Sequence, residues 1–460
     1  SVTDPHKRIR ADYTDYGFRA EIRDERGHTY IDHFQRGDKI HKVVYYKKDL
    51  ENKNPWSCEV QQAEDEYRDN HGNNERVGDC VFRSYRLALA TTGEYSNFHG
   101  ATSSSQSSLV MTAVVNVMNR VNGVLESDVT IRFVLVGNTS SLFYYTPGSD
   151  PYTNNNGVTM LTENQTNCDN IIGTSNYDMG HVFSTGGGGV ASLGAICSTN
   201  NKARGVTGLP SPIGDPFSID YVAHEMGHQL GGRHTFSNNN SGSCSGGNVN
   251  AATAVEPGSG TTIMAYAGIC NPYNVQNNSD AYYHAISLAE IKTKLQSVSC
   301  HTVISFTNQA PIVSGLTNYS IPISTPFVLT TTATDPEGDP ITFCWEETDA
   351  ATSTTAPTST MTSAPVFRSF NPTQNTFRYF PSLSTVLAGS TSNTWEVPPS
   401  IGRVLKFRVT ARDYHSIAGC TDEENMTVTT VAGIGPFIIT SQNTASNLTE
   451  GAPATITWNV

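Results

Sequence analysis

The chain of 460 residues has little charge, no long apolar segment and no closely paired cysteines. Charged residues make up 15% of the sequence, against about 25% in ordinary soluble domains. No apolar run approaches the roughly 18 residues that a membrane-spanning helix needs. The net charge of −13 argues against a protein that mainly binds nucleic acid or anionic lipid.

Nine cysteines are distributed singly along the chain, and none of them forms a C-x-x-C pair. Single, well-separated cysteines in a polar, acidic chain indicate disulfides and an oxidising compartment. We therefore expect a secreted or cell-surface protein whose targeting segment has been removed ahead of Ser1, and a cytosolic chain is the alternative. Because nine is odd, at least one thiol has no partner within the chain.

Changes in composition divide the chain into four regions. Residues 1–75 are the most charged, contain strands predicted at 16–22, 29–34 and 43–46, and end in a polar linker at 64–76. Residues 76–305 alternate strands and helices, which predicts an α+β domain with a mixed, twisted sheet. Residues 306–432 carry Ser/Thr-rich strands and predict an all-β sandwich, and 433–460 read as the start of a further, truncated β module.

Two helix boundaries in the second region follow from local signals. A helix predicted at 104–122 should stop at Gly123, and a later one should begin with a capping box of Ser287 and Glu290. A third helix should start at Asp215, with Pro216 in its first turn.

One motif carries most of the chemical information: His224-Glu225-Met226-Gly227-His228, followed by Gly231, Gly232 and His234. On a helix, His224 and His228 lie one turn apart on the same face and can share a metal ion. Gly231 and Gly232 let the backbone turn, so that His234 can supply a third nitrogen. Glu225 lies beside the first ligand, within reach of water at the fourth position, which a catalytic zinc site leaves open.

Two further segments carry a resemblance to a known family. Thr261-Thr-Ile-Met264-Ala-Tyr266 follows the histidine motif by about thirty residues, and a glycine-rich run, Gly180 to Cys197, precedes it. With the histidine motif, they resemble the metzincin clan of zinc peptidases, and in particular its reprolysin-like (adamalysin-type) secreted bacterial enzymes. The resemblance covers roughly residues 80–300.

The resemblance implies a role for each matching residue. His224, His228 and His234 would bind Zn²⁺, Glu225 would be general base and then general acid, and Met264 would form an apolar floor under the metal. Tyr266 would either bind zinc or stabilise the oxyanion, as in astacins and serralysins, or simply pack in the core. Residues 188–196 would form the upper rim of the cleft and pair with an extended substrate.

The same resemblance places the pocket for the side chain beyond the cut beside the segment after Tyr266, without indicating which side chain it prefers. Adamalysins have Asp where this chain has Thr235, so the buried polar contact made there is in question.

These assignments predict a zinc-dependent endopeptidase that hydrolyses protein substrates through a zinc-activated water, with no covalent acyl-enzyme. The alternative is a surface adhesion protein whose metal domain mainly binds. An intact Glu225 favours the enzyme, since a binding protein has no use for it.

The amino-terminal region resembles the end of a family propeptide, which would act as the enzyme's own inhibitor and make the protein a zymogen. Pro55-Trp-Ser-Cys58 resembles the cysteine switch, in which a thiolate occupies the water position on zinc. A disulfide from Cys58 to Cys80 is one alternative. Asp38, in Phe34-Gln-Arg-Gly-Asp38, is another and would act like the aspartate switch of astacins.

For the other cysteines, the adamalysin analogy implies Cys197–Cys300. Pairs Cys244–Cys270 and Cys344–Cys420 are predicted within their own domains, and elimination then leaves Cys80–Cys168. The region from 306 resembles Ig-like or cadherin-like accessory modules, which would bind a surface or polymer. In it Asp335, Glu337 and Asp339 could ligate Ca²⁺ or form a solvated acidic turn.

Overall fold

The computed structural model describes residues 7–14, 17–24, 27–35, 38–50, 58–61, 78–442, 444 and 447–460. The predicted linker at 64–76, residues 55–57 of the switch motif, and Arg36 and Gly37 lie outside the described residues. None of the helices in the described part of the chain is long and apolar enough to cross a membrane.

The amino-terminal region forms an antiparallel four-stranded sheet in sequential order. Its strands are β1 (Arg8–Thr14), β2 (Gly17–Asp24), β3 (Gly27–His33) and β4 (Lys42–Tyr46). The last three match the predicted strands, whereas β1 was missed. Strand β1 exposes apolar side chains and directs charged ones inward. Ile9 and Tyr13 are exposed, while Arg8 and Arg10 form hydrogen bonds with Ser127 and Glu126 of the following region.

The second region contains a mixed sheet, as predicted, and β5 (Cys58–Gln61) of the amino-terminal region joins its edge to make seven strands. The other strands are β6 (Arg83–Thr91), β7 (Ile131–Leu135), β8 (Met179–Ser184), β9 (Gly189–Ser192), β10 (Gly205–Gly208) and β11 (Thr302–Val303). Their order is β11-β6-β8-β10-β9-β5, and β7 also pairs with β6. Strands β6, β7, β8 and β10 pair in parallel, whereas β9 runs antiparallel to β10.

The helices of this region are α1 (Gly93–Phe98), α2 (Ser107–Asp128), α3 (Gly157–Ile171), α4 (His224–Gln229) and α5 (Ala285–Gln296). A π-helical segment, Pro216–Ala223, leads directly into α4. Helix α2 does not stop at Gly123 but continues to Asp128, with Val124 and Leu125 buried in the core. The missing side chain at Gly123 makes room for Arg10 and Arg23 of the amino-terminal sheet.

The predicted capping box at the start of α5 is wrong. His284 caps the helix by accepting the N–H of Ile286 with its side chain. Glu290 instead binds both the backbone and the guanidinium of Arg233, close to the histidine motif.

Strands dominate the third region. They are β12 (Ile312–Ser314), β13 (Tyr319–Pro322), β14 (Phe327–Thr330), β15 (Thr332–Thr334), β16 (Ile341–Glu347), β17 (Phe377–Phe380), β18 (Arg403–Asp413) and β19 (Thr421–Val431), with one short helix, α6 (Leu383–Leu387). The main sheet has the order β13-β19-β18-β16. Its assignment as an Ig-like or cadherin-like sandwich stays a prediction, as does a further module around β20 (Ile438–Ile439) and β21 (Trp458–Asn459).

Three disulfides are present in the described residues: Cys197–Cys300 and Cys244–Cys270, as predicted, and Cys80–Cys420. The predicted pairs Cys80–Cys168 and Cys344–Cys420 are wrong, because Cys80 and Cys420 bond to each other. Cys58, Cys168 and Cys344 are buried cysteines outside the disulfides, which also rules out a Cys58–Cys80 bridge.

The β-rich region packs directly on the second region. Arg412 of β18 forms an ion pair with Asp128 at the end of α2, 3.0 Å from Nε to Oδ1, and both side chains are buried. Lys292 of α5 similarly meets Glu423 of β19 at 2.9 Å.

Candidate metal centre and active site

The three histidines of the motif converge in the protein interior. Helix α4 holds His224 and His228 one turn apart, and both side chains are fully buried. The helix ends at Gln229, and two residues later Gly231 has a φ of +103°, a left-handed conformation that favours glycine. The turn at Gly231 and Gly232 brings His234 back toward the helix.

The Nε2 atoms of these imidazoles lie close together. The distances are 3.0 Å from His228 to His224, 3.0 Å from His228 to His234 and 3.2 Å from His224 to His234. Nitrogens at about 2.1 Å from a tetrahedral zinc ion would lie roughly 3.4 Å apart. The three nitrogens therefore have nearly the spacing that one metal ion requires.

Each imidazole is oriented by a backbone carbonyl on its other nitrogen. The Nδ1 atom of His224 donates to the carbonyl of Ile263 at 2.6 Å. His228 Nδ1 donates to the carbonyl of Gly232 at 2.7 Å, and His234 Nδ1 to that of Asn248 at 2.6 Å. This leaves the Nε2 lone pairs for a metal. Burial lowers the pKa of His224 to about 4 and the pKa values of the other two well below their usual range, so all three rings are neutral ligands at pH 7.

Cys58 occupies the fourth side of the cluster. Its Sγ atom is 3.6 Å from His228 Nε2 and 3.7 Å from His234 Nε2. A thiolate at about 2.3 Å and an imidazole at about 2.1 Å from one zinc ion would place S and N roughly 3.6 Å apart. Among the described residues, these four side chains form the one group of three or more potential metal ligands.

Glu225 is fully buried beside this cluster. Neither of its carboxylate oxygens makes a well-formed hydrogen bond within the described part of the chain. Burial raises the pKa of Glu225 well above its usual range, and the nearby Cys58 thiol partly opposes that rise. Both oxygens of this buried carboxylate are therefore available to a reaction partner.

Met264 and Tyr266 lie against the histidine cluster from the other side. Met264 Sδ would be 2.4 Å from a Cβ at Gly227 of α4, so the methionine packs directly under the helix that carries two of the histidines. The Tyr266 ring centroid is 4.5 Å from that of His234, and its hydroxyl donates to the backbone carbonyl of Cys58 at 3.1 Å.

The predicted cleft rim carries an added strand. In the structure, β5 pairs in parallel with β9, and Cys58 lies opposite Gly189. Strand β9 would otherwise be the edge of the sheet. Strand pairing at this edge therefore delivers Cys58 to the histidines.

Glu256 is a site residue that the sequence reasoning missed. Its buried carboxylate accepts the Thr235 hydroxyl at 2.6 Å and the backbone N–H groups of Thr261 and Thr262. It thereby joins Thr235, the residue after His234, to the turn before Met264. The available signal was that Glu256 is the only charged residue between His234 and Asp280.

The other candidate ligands are not brought to this cluster. Asp38 accepts bonds from the backbone of Ile40 and His41 and from the His41 ring, so it is held within its own turn. Asp335 caps the N–H groups of Glu337 and Asp339, and Glu337 binds Gln309. These three carboxylates form no metal-binding group in the described residues, and calcium there stays a prediction.

The comparison with protein families agrees with this geometry. Residues 107–287 match the family model described as metallo-peptidase family M12B, reprolysin-like. That segment contains α4, its three histidines and the Met264 turn. This part of the chain is therefore similar to reprolysin-like metallopeptidases. No curated protein and no solved structure gave a significant match.

Proposed function

We propose that the protein is the precursor of a secreted zinc endopeptidase. The observation that carries this proposal is the convergence of three neutral imidazoles on one point, with Glu225 beside them and a single thiol on the remaining side. The M12B match supports a metallopeptidase with protein substrates. The three disulfides support an oxidising compartment such as the cell exterior.

His224, His228 and His234 would hold the zinc ion, because three nitrogen donors and one exchangeable position are the donor set of catalytic zinc. When bound, zinc would make its water acidic and polarise the scissile carbonyl.

The chain's own residues supply the proton transfers. Glu225 takes a proton from the attacking water and gives it to the leaving nitrogen. The Tyr266 hydroxyl, which donates to the Cys58 carbonyl in the precursor, would donate to the substrate oxygen as negative charge develops there.

The Glu225→Ala variant tests this proposal. After cleavage of the full chain within 64–80 to release the amino-terminal region, wild type should bind one zinc ion and cut protein substrates. The variant should keep the zinc but lose activity by about a thousandfold, since it lacks the general base. Zinc content by atomic absorption and turnover of a quenched peptide measure the two effects, with Glu163→Ala on α3 as the control.

Unchanged turnover in Glu225→Ala would refute the assignment. An adhesion protein would instead show no cleavage by wild type and equal ligand binding by wild type and variant.

We further propose that Cys58 keeps the precursor latent. Its thiolate would take the exchangeable position on zinc, and β5 would cover the rim strand that a substrate needs. Because Cys58 is outside the disulfides, the amino-terminal region can leave once the chain is cut.

The Cys58→Ser variant of the uncut chain should hydrolyse peptides, whereas the uncut wild type should not. A mercurial should likewise activate wild type, because it would bind the Cys58 thiol and remove it from the histidines. Cys168→Ser is the matched control and should stay latent. If the uncut Cys58→Ser variant is no more active than the Cys168→Ser control, Cys58 does not keep the precursor latent.

A further inference from the structure

Lys47 of the amino-terminal region places its ammonium group in a buried acidic pocket of the second region. Its Nζ atom lies 2.8 Å from Asp215 Oδ2 and 3.1 Å from Asp220 Oδ1. All three side chains are buried; only 8% of the Lys47 side chain is exposed. Burial lowers the pKa of Lys47, but the two carboxylates more than offset this and raise it overall.

The charges around this pocket do not balance without Lys47. The second region supplies Asp215, Asp220 and Arg120, whose guanidinium is 3.9 Å from Asp215. The amino-terminal region supplies Lys47, Glu21 and Arg23, and Glu21 pairs with Arg120 at 3.3 Å and with Arg23 at 2.9 Å, so the charges cancel in the precursor. When the amino-terminal region leaves, two carboxylates and one guanidinium remain. The vacated pocket then has an excess of one negative charge and room for one cationic side chain.

The pocket adjoins the metal centre. Asp220 precedes His224 by four residues in a continuous helical segment, so the two are about one turn apart. Asp220 Oδ1 also accepts the backbone N–H of Ser279 at 3.2 Å, and Asn278 donates to the Leu50 carbonyl at 2.9 Å. Residues 278–279 belong to the segment after Tyr266, which by family resemblance borders the pocket for the side chain beyond the scissile bond.

We propose that Asp215 and Asp220 select substrates with a lysine or arginine immediately after the scissile bond. In the precursor, Lys47 occupies the place of that substrate side chain. This inference rests on the proposed function, since it names the substrate class of the same site. A neutral side chain would leave a buried carboxylate without a counter-charge, which disfavours it strongly.

Cleavage of a peptide library by the activated wild-type protein is the direct test. The full chain is cut within 64–80, the released segment is removed, and the cleaved bonds are identified by mass spectrometry. Lysine or arginine should dominate the position after the cut. Cleavage with no preference at that position, or with a preference for apolar residues, would overturn the inference while leaving the peptidase assignment intact.

Two variants connect the preference to the pocket. Asp220→Asn and Asp215→Asn should each lower kcat/KM for lysine-containing peptides by about tenfold or more, with much less effect on a norleucine peptide. Asp280→Asn is the matched control, because Asp280 adjoins Ser279 but accepts a bond from Asn371. If kcat/KM falls equally for both peptides, the two carboxylates have only a structural role and the inference is overturned.

Binding to an inactive protein separates this inference from the proposed function. Glu225→Ala, cut and freed of its amino-terminal region, is titrated by calorimetry with two peptides that differ only in lysine or norleucine after the scissile bond. The lysine peptide should bind about tenfold more tightly. Equal affinities would overturn the inference, whereas discrimination without wild-type cleavage would preserve it and refute the peptidase.

Discussion

The ring and the hydroxyl of Tyr266 make two different kinds of contact at this site. Its ring packs between Phe236, at a centroid distance of 4.4 Å, and His234, while its hydroxyl reaches the Cys58 carbonyl. Core packing and polar donation are therefore not alternatives here, because the ring performs one and the hydroxyl the other. That carbonyl belongs to the strand that lies on the rim, where a substrate carbonyl would come.

Removal of the hydroxyl should therefore separate the two roles. In the activated protein, Tyr266→Phe should lower kcat by about a hundredfold, since a donor to the developing oxyanion is lost, with zinc content and KM almost unchanged. Steady-state kinetics and metal analysis measure this. Tyr273→Phe, farther along the same segment, should behave like wild type. A Tyr266→Phe variant with full kcat would leave the ring as the only contribution of Tyr266.

At the scale of elements, the contact of α4 with the Met264 turn supports the histidine cluster. Gly227 permits this contact, because any Cβ there would meet Met264 Sδ at 2.4 Å and the Tyr283 ring at 3.2 Å. Tyr283 in turn donates to the Ala223 carbonyl, at the residue before His224. The helix, the turn and the start of α5 are thus packed without spare volume around the histidines.

Gly227→Ala should push these elements apart. We expect a loss of about 1–3 kcal/mol in the free energy of unfolding and weaker zinc binding, because overpacking displaces Met264 or α4. Urea unfolding and zinc competition with a chelator measure the two effects. Gly247→Ala is the matched control, since a Cβ there would have no neighbour within 4 Å. If Gly227→Ala matches this control in its free energy of unfolding and in its zinc affinity, the Met264 contact is dispensable.

At the scale of the whole molecule, the β-rich region is bound to the region that carries the histidine cluster by covalent and ionic contacts. The Cys80–Cys420 disulfide joins residues 340 positions apart, and the buried Arg412–Asp128 pair lies between the same two regions. Asp128 also accepts the backbone N–H of Tyr283 at 2.7 Å, so the interface extends to the residues that support α4. The β-rich region is therefore part of the same folded unit.

The disulfide leads to a simple prediction. A single proteolytic cut in the connection at 304–311 should leave the two fragments joined on a denaturing gel without reductant, and reductant should separate them. The Cys80→Ser/Cys420→Ser double variant should separate without reductant. If wild-type fragments also separate without it, the bridge is absent, and the Cys344–Cys420 pairing expected from the sequence would regain support.

The outcome of the sequence predictions depended on how local each feature was. The i, i+4 spacing of His224 and His228, the glycine turn after them and the strands of the mixed sheet all follow from neighbours along the chain. Helix α2 was predicted too short because Gly123 acts locally as a stop signal. In the fold, the same glycine accommodates Arg10 and Arg23, so packing overrides the local preference.

The sequence by itself determined that three imidazoles, a carboxylate and an odd thiol exist in patterns suited to one metal site, because ligand spacing on a helix is a short-range property. Only the tertiary structure decided that Cys58 reaches the histidines, that Glu256 accepts the hydroxyl of Thr235, that Cys80 bonds to Cys420 and that Lys47 lies between Asp215 and Asp220. Each of these contacts joins residues far apart in the chain. Such contacts leave no periodic pattern in the sequence, since their geometry is set by how whole elements pack.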